Sequence, residues 1–380
     1  MGMVNTGGTL NAGYQLEESR ELLLKPVFES ENVLAQAANA LNINVYDVSY
    51  GVKNKKKFKR IGKMGPIAKA RTNCSTWDPV VIQSMVDDEF TVHAFEVEGE
   101  LCADEFTGIW ENIRGAGNNM NSTEGDLANQ LEQALITRVR GALKDDIFRQ
   151  VWFSETTFTT TYATGLSQLD MRTRGVLETQ MAQFDGLWEQ IEDGVTATNI
   201  AYVDSYDGAT RYATSANISS WFEAMLDAAS NELRHFVNQG QAVFLVQRAF
   251  LKAYRQYLQG LGTEMSNRFI VEGNGQPLRT VLFYDGIPVI EVPEWDDFDS
   301  MLPISGKAKE RGLLVALENL QIGTDADSSA STGNGRGLVI YQNPEPSAKG
   351  RVEMYSAYRI GCGVAYDNLI VASYNGTVLP

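Results

Sequence analysis

The chain has 380 residues, 43% hydrophobic and 21% charged, with 34 Gly, 10 Pro and 3 Cys. That excludes a disulfide-stapled mini-protein and a disordered tail, and is enough to bury one elaborate core or several intertwined ones. With 32 basic against 48 acidic residues the net charge is −16, which repels nucleic acid unless basic residues are segregated. No apolar run approaches the ~18 residues needed to span a bilayer. The opening MGMVNTGGTLNAGY lacks the basic start and apolar core of a secretion signal, so neither a membrane-embedded nor a conventionally secreted chain is expected.

In chain order, a Gly-, Asn- and Thr-rich arm leads into LEESRELLLK, a predicted helix stopped by Pro26, and a second helix from Ser30 to about Leu41. From Asn42 to Gly99 the pattern turns to strands. VYDVSY alternates, a basic run follows, and VVIQSMV and FTVHAFEVE flank a turn expected at Asp87-Asp88. Between Asp47 and Asp78 stand Lys53, Lys55, Lys56, Lys57, Lys59, Arg60, Lys63, Lys69 and Arg71 with no acid among them. Positive charge is therefore concentrated in one long β excursion.

After Cys102 the period becomes helical. Leu127, Leu131, Leu135, Val139, Leu143, Ile147 and Val151 recur every four residues, a stripe that drifts around a helix and needs neighbours on several sides. A rod from Thr123 to about Ser154 is predicted. SSWFEAMLDAASNELRHFV reads as one helix with a capping box from Ser220 to Glu223 and an inward stripe of Phe222, Leu226, Ala229 and Leu233. Strand QAVFLV, helix RAFLKAYRQYLQGLG ended by its glycines, and strands RFIVE, RTVLFY and IPVIEV follow, with turns at 273–275 and at Asp285-Gly286. The final segment is strand-rich: GLLVALENL, GLVIYQN, RVEMYSAYRI and GVAYDNLIVASY, interrupted by GTDADSSASTGNG.

The residues carry no catalytic motif. GxSxG, a P-loop, a dinucleotide fingerprint and zinc spacings are absent. Asp325 and Asp327 hint at a calcium loop, but Ala330 stands where Gly is needed and Arg336 where Glu is needed. Cys74, Cys102 and Cys362 read as reduced thiols, His93 and His235 as structural or surface residues, and Trp110, Trp152, Trp188 and Trp221 as core. No cofactor, metal or catalytic residue is expected.

An arm with a helix, a basic β excursion, one long helix, an α+β lobe and closing strands form an order that resembles the major capsid proteins of tailed bacteriophages, a fold shared with herpesvirus shells and encapsulins. FYDGIPVIEVPEWDDF, ENLQIGTD and YRIGCGVAYDNLIVASY resemble strands of that fold. The resemblance implies an α+β chain with an N-terminal arm and helix (1–43), an E-loop (44–99), a P-domain with a spine helix (100–154), an A-domain (155–306) and closing P-domain strands (307–380). It implies a non-enzymatic subunit that assembles with itself as hexamers and pentamers into an icosahedral shell. The shell would be built in the bacterial host cytoplasm and enclose double-stranded DNA without sequence-specific binding.

Portal proteins, and scaffold or cement proteins, are the further partners implied; a membrane is not. Some members join Lys to Asn between subunits, and Asn368 lies in the closing strands, but no motif carries that chemistry over. No N-terminal processing beyond loss of Met1 is expected. The E-loop charges Lys53, Lys55, Lys56, Lys57, Lys59, Arg60 and Lys63 are candidates to meet a neighbour's acidic patch. Asp296, Asp297 and Asp299 are the best-segregated acids for that contact. An encapsulin-like compartment, and a carbohydrate-active enzyme using unmotifed carboxylates, are the alternative readings.

Overall fold

The structure is a computed structural model that describes residues 44–61, 85–101, 141–156, 181–207, 210–261, 268–271, 279–296, 310–325, 339–342 and 352–375. The expected arm and its two helices fall outside these residues, as does the rod before residue 141. The elements begin with β1 (Tyr46–Ser49), β2 (Lys55–Ile61), β3 (Met85–Thr91), β4 (His93–Leu101) and α1 (141–153). Next come α2 (Leu187–Thr196), β5 (Ala201–Asp204), β6 (Tyr206–Asp207), β7 (Thr210–Arg211), α3 (Ile218–Ala228) and α4 (Asn231–Asn238). Then β8 (Ala242–Val246), α5 (Arg248–Leu261), β9 (Arg268–Val271), β10 (Arg279–Tyr284) and β11 (Ile287–Glu291) follow. The chain closes with β12 (Gly312–Ala316), β13 (Leu320–Thr324), β14 (Val339–Gln342), β15 (Val352–Val364), a 3-10 turn at Asp367–Leu369 and β16 (Ile370–Tyr374).

Runs with no polar face, AVFLV in β8 and GLLVA in β12, identify strands covered on both sides, and β8, β12 and β16 are buried throughout. They form the centre of a seven-stranded sheet ordered β5-β16-β12-β8-β11-β10-β9. Successive residues face opposite sides of a strand, so this sheet feeds two cores. Ala242, Phe244, Val246 and Leu314 join α3, α4 and α5 through Trp221, Phe222, Leu233, Phe250 and Tyr254. Val243, Leu245, Leu313 and Val315 join α1 and α2 through Ile147, Val151, Trp152, Leu187 and Trp188. Trp295 closes the second core, its ring centroid 5.0 Å from those of both Trp152 and Trp188. The tryptophans read as core in these helices are core.

The described part of the expected rod is helical, and Leu143, Ile147 and Val151 are buried together with Phe148 and Trp152. Burial on several sides is what the drifting stripe requires. At Asp285-Gly286 both residues have positive φ, 48° and 79°, the two-residue turn that joins β10 to β11 with Tyr284 opposite Ile287.

Three expectations are corrected. The helix expected from Ser219 to Val237 is two, because Ala229 is extended and Ser230 restarts the chain, its hydroxyl accepting from Leu233 N at 3.0 Å. The capping box at Ser220 does not form: the N-cap of α3 is Asn217, whose amide is committed to Arg211 O, so Ser220 lies inside the helix. GLLVALENL is not one strand, since Glu318 takes a positive φ of 61° between β12 and β13. That turn sends the chain from the seven-stranded sheet into a second sheet, ordered β1-β13-β15-β14 with β4 also paired to β15. β12 and β16, late in the chain, complete the sheet begun by β5 and β8.

Gly312 is where the sheet admits Trp221. A Cβ there would stand 2.4 and 2.7 Å from the indole ring, whose N–H donates to Ser373 Oγ at 2.8 Å. Gly312→Ala is expected to overpack the site and lower the unfolding free energy by about 1–3 kcal/mol in a urea titration; an unchanged midpoint would refute the packing argument.

Candidate functional site: the root of the charged ribbon

β2 (KKKFKRI) and β3 (MVDDEFT) pair antiparallel from Lys55 opposite Thr91 to Ile61 opposite Met85. Asp87 and Asp88 are therefore mid-strand, opposite Lys59 and Phe58, and not the expected turn. Opposite charges facing each other across a ladder favour extension, and this outweighs the turn preference of an Asp pair. The reversal of the ribbon lies between residues 61 and 85, outside the described residues.

The alternation sorts the lysines. Lys55 and Lys57 sit on one face with Glu89: Lys55 bonds its carboxylate directly, and Lys57 Nζ stands 3.7 Å from Oε2. The Lys55 bond and charge hold the Glu89 carboxyl below its usual range. Lys56 faces the other way, only 15% exposed, with Asp47 Oδ2 at 3.1 Å and Gln321 Oε1 also bonded. Lys55, Lys56 and Lys57 are thus answered within their own subunit by acids from β1 and the returning strand, and Glu89 lies 34 residues from Lys55 in the chain.

At its root the ribbon crosses the face of the second sheet. A Cβ on Gly361 would lie 2.3 Å from the carbonyl oxygen of Thr91, and one on Gly323 or Gly363 would meet the Phe90 ring at 2.8 or 3.0 Å. Glycine within a strand marks such a close approach. The crossing is tied by Val92 N to Asn54 O and Val52 N to Thr324 O, both 2.9 Å. Arg359 donates to Lys53 O, and its own N–H donates to Asp325 Oδ1 at 2.8 Å.

Above the crossing, β15 loses a partner. β4 pairs with it only from Val352 to Ile360, leaving Cys362 O and Val364 N facing α2. Gln190 of α2 takes both: its amide nitrogen donates to Cys362 O at 3.2 Å and its oxygen accepts from Val364 N at 3.2 Å. One side chain does there what a neighbouring strand does elsewhere. The buried Cys362 thiol donates to Val151 O at 3.4 Å, and burial pushes its pKa up, so it remains an inert thiol.

Of the residues singled out from sequence, the structure brings together Lys55 and Lys57 with Glu89, and Lys56 with Asp47. It places Lys53 at the Arg359 contact, Lys59 opposite Asp87 and Arg60 opposite Val86. Asp296 is at the start of α5, accepting from Arg248 N at 3.1 Å. Lys63, Asp297 and Asp299 lie outside the described residues. Phe90, Gln190 and the glycines of IGTD and RIGCGV are what sequence reasoning missed; closely spaced glycines inside strand patterns were the available signal. His93 stacks on Phe184, and among the described residues no group of His, Cys, Asp and Glu is arranged to hold a metal.

Gly361→Ala is expected to lift the ribbon from the sheet. Limited proteolysis should then cut within 53–61 and 85–92 several-fold faster while α5 stays protected. Equal cutting of variant and wild type would contradict the crossing as the ribbon's anchor.

No protein-family model matches the sequence, and no curated protein is similar to it. Among solved structures it is similar to a chain of the satellite phage P4 procapsid including size determination (Sid) protein. The two share 14% identity at a TM-score of 0.51, over 93% of this chain and 98% of that one. A Gordonia phage Cozz structure (13% identity, TM-score 0.47, 87% and 84% covered) is also similar. So is the holo-SrpI encapsulin complex of Synechococcus elongatus PCC 7942 (11%, 0.44, 88% and 86%); the fold assignment rests on the first of the three. The chain has the α+β fold of that phage procapsid chain.

Proposed function

We propose that the chain is the structural subunit of a phage-type icosahedral shell, assembling as hexamers and pentamers around double-stranded DNA and performing no catalysis. The observation that carries this is the end-to-end correspondence with a procapsid chain, 93% of one and 98% of the other. It leaves little of either chain for an added activity. The ribbon supports the reading physically: a two-stranded ribbon is marginal in water by itself and gains stability from a surface to lie on. On this proposal residues 44–99 act as the E-loop, the helix ending at 153 as the spine, and portal, scaffold or cement proteins complete a particle assembled in the bacterial cytoplasm.

The same reading gives the basic run an inter-subunit role, with the pairing inside the subunit setting its terms. Lys56 belongs to its own subunit through Asp47 and Gln321, whereas Lys57 is 76% exposed; we infer that Lys57, with Lys53, Lys55, Lys59, Arg60 and Lys63 of the same run, supplies the charge that a neighbouring subunit meets. Asp296 is engaged at the start of α5, so Asp297 and Asp299 are the better partners to reverse. Exposed pairs are each worth only about 0–1 kcal/mol, but they repeat around a shell.

Electron microscopy of the purified protein, with nuclease digestion of its contents, tests the function. Closed shells holding nuclease-resistant DNA are expected. Shells holding only protein would make it an encapsulin-like compartment, and a monodisperse 42.0 kDa monomer at high concentration would overturn the shell reading. The charge role is tested separately: Lys55→Glu with Lys57→Glu is expected to slow assembly at physiological salt in a folded subunit, and Asp297→Lys with Asp299→Lys to restore part of the rate. Unchanged assembly and salt dependence would remove the charge role and leave the shell.

A further inference from the structure

Charge is segregated around the seven-stranded sheet as well as in the ribbon. From residue 233 to 263 the chain carries Arg234, His235, Arg248, Lys252 and Arg255 and no acid; from 175 to 210 it carries seven acids and no base. The first stretch contains α5 and the second α2. These helices cover opposite faces of one sheet: α5 joins Phe244 and Val246 through Phe250 and Tyr254, and α2 joins Val243 and Leu245 through Leu187 and Trp188.

Each helix turns its charges away from its core. On α5 the buried side chains are Phe250, Ala253, Tyr254 and Leu258, and Arg248, Lys252 and Arg255, four and three residues apart, form an exposed row on the opposite side. On α2 Leu187, Trp188 and Ile191 are buried. Glu189, Glu192 and Asp193 form the row opposite them, Asp193 exposed and the two glutamates half-buried. Neither row serves its own helix. Like charges three and four residues apart repel along a helix. Arg248 is the first residue of α5 and Asp193 is in the last turn of α2, each the wrong sign for the helix dipole. Among the described residues Lys252 and Arg255 form no ion pair, although Glu223 and Asp227 are exposed on the adjoining α3. Arg311, the cation packed against the rings of Phe153 and Trp188, is buried and so is no part of the outward surface of α2.

We propose that the α5 row of one copy docks on the α2 row of the next, so that the two sides of this sheet are the two halves of one contact between copies of the chain. Because the rows lie on opposite faces, the contact joins unlike surfaces and runs head to tail, the arrangement that closes into a ring. The rows are opposite in sign and comparable in length, about 10 Å from Arg248 to Arg255 and about 6 Å from Glu189 to Asp193. Complementary rows set register and speed encounter more than they add affinity, which suits a subunit that meets identical neighbours in one orientation. A basic row also suits DNA, but three cations reach few phosphates, whereas every copy of the chain carries the matching acids. The proposal rests on the shell reading and names one contact within it.

Charge reversal in the full-length protein tests it. Lys252→Glu with Arg255→Glu is expected to slow assembly about tenfold or more at low salt, with the deficit shrinking as salt rises, while the circular dichroism of the unassembled subunit stays as in the wild type. Glu192→Lys with Asp193→Lys is expected to do the same, and all four changes in one chain to restore most of the rate. In wild-type particles assembled from mixed light and heavy-isotope subunits, a carbodiimide, which joins amines to carboxylates in contact, is expected to link Lys252 of one copy to Glu192 or Asp193 of another. That linkage uses unaltered protein and decides the matter even where a reversal impairs folding. A wild type that stays monomeric would overturn this contact together with the shell reading. A wild type that assembles, with both double reversals matching its rate or with Lys252 linked to Glu223 or Asp227 of another copy and not to α2, would overturn the contact alone. So would α5 reversals that assemble normally but enclose less nuclease-resistant DNA, which would give the row to nucleic acid.

Discussion

The structure depends on one close crossing of backbones. Where β3 leaves β4 it passes over β15 at a distance that excludes a side chain, with the Thr91 carbonyl above Gly361 and the Phe90 ring above Gly323 and Gly363. A ribbon rooted in this way has its direction set by contact with a sheet and not by its own stiffness, which a two-stranded element lacks. The bonds around the crossing act on the same few residues: Val92 to Asn54, Val52 to Thr324, Lys56 to Asp47. An apolar contact, a backbone ladder and a half-buried charge therefore converge on one point.

Behind that point the chain is rigid for a different reason. The central strands β8, β12 and β16 of the seven-stranded sheet are buried on both faces and alternate residues into two aromatic-rich cores. Close-packed interiors resist small displacements, so β12 and β16 hold β13 and β15 at fixed positions through short connections. α2 links the two regions, with Leu187, Trp188 and Ile191 in the core and Gln190 on the open edge of β15. The inner body thus positions the ribbon without a long lever.

Much of this was legible in the chain. Unbroken apolar runs such as AVFLV located central strands, Asp-Gly between RTVLFY and IPVIEV located a two-residue turn, and the order of elements pointed to the capsid fold. What was not legible depended on distance in space. Asp87-Asp88 reads as a turn until the strand opposite is known to carry Lys57 and Lys59; Ser230 reads as helix interior until Ala229 is seen to be extended. Gln190 is an ordinary helical glutamine in sequence, and its partners at residues 362 and 364 lie more than a hundred residues away. The basic run is legible as a concentration of charge, but the pairing of Lys55, Lys56 and Lys57 with Glu89 and Asp47 follows only from the register.

On the proposed function, a rigid, double-cored body presents this ribbon at a fixed root to another copy of the chain. A cryo-electron microscopy reconstruction of assembled particles measures this directly. It should find β2 and β3 in the register Lys57 opposite Glu89, Phe90 seated over Gly323 and Gly363, and the outer ribbon lying on an adjacent subunit. A ribbon folded back onto its own subunit, or rooted anywhere but over Gly361, would contradict it.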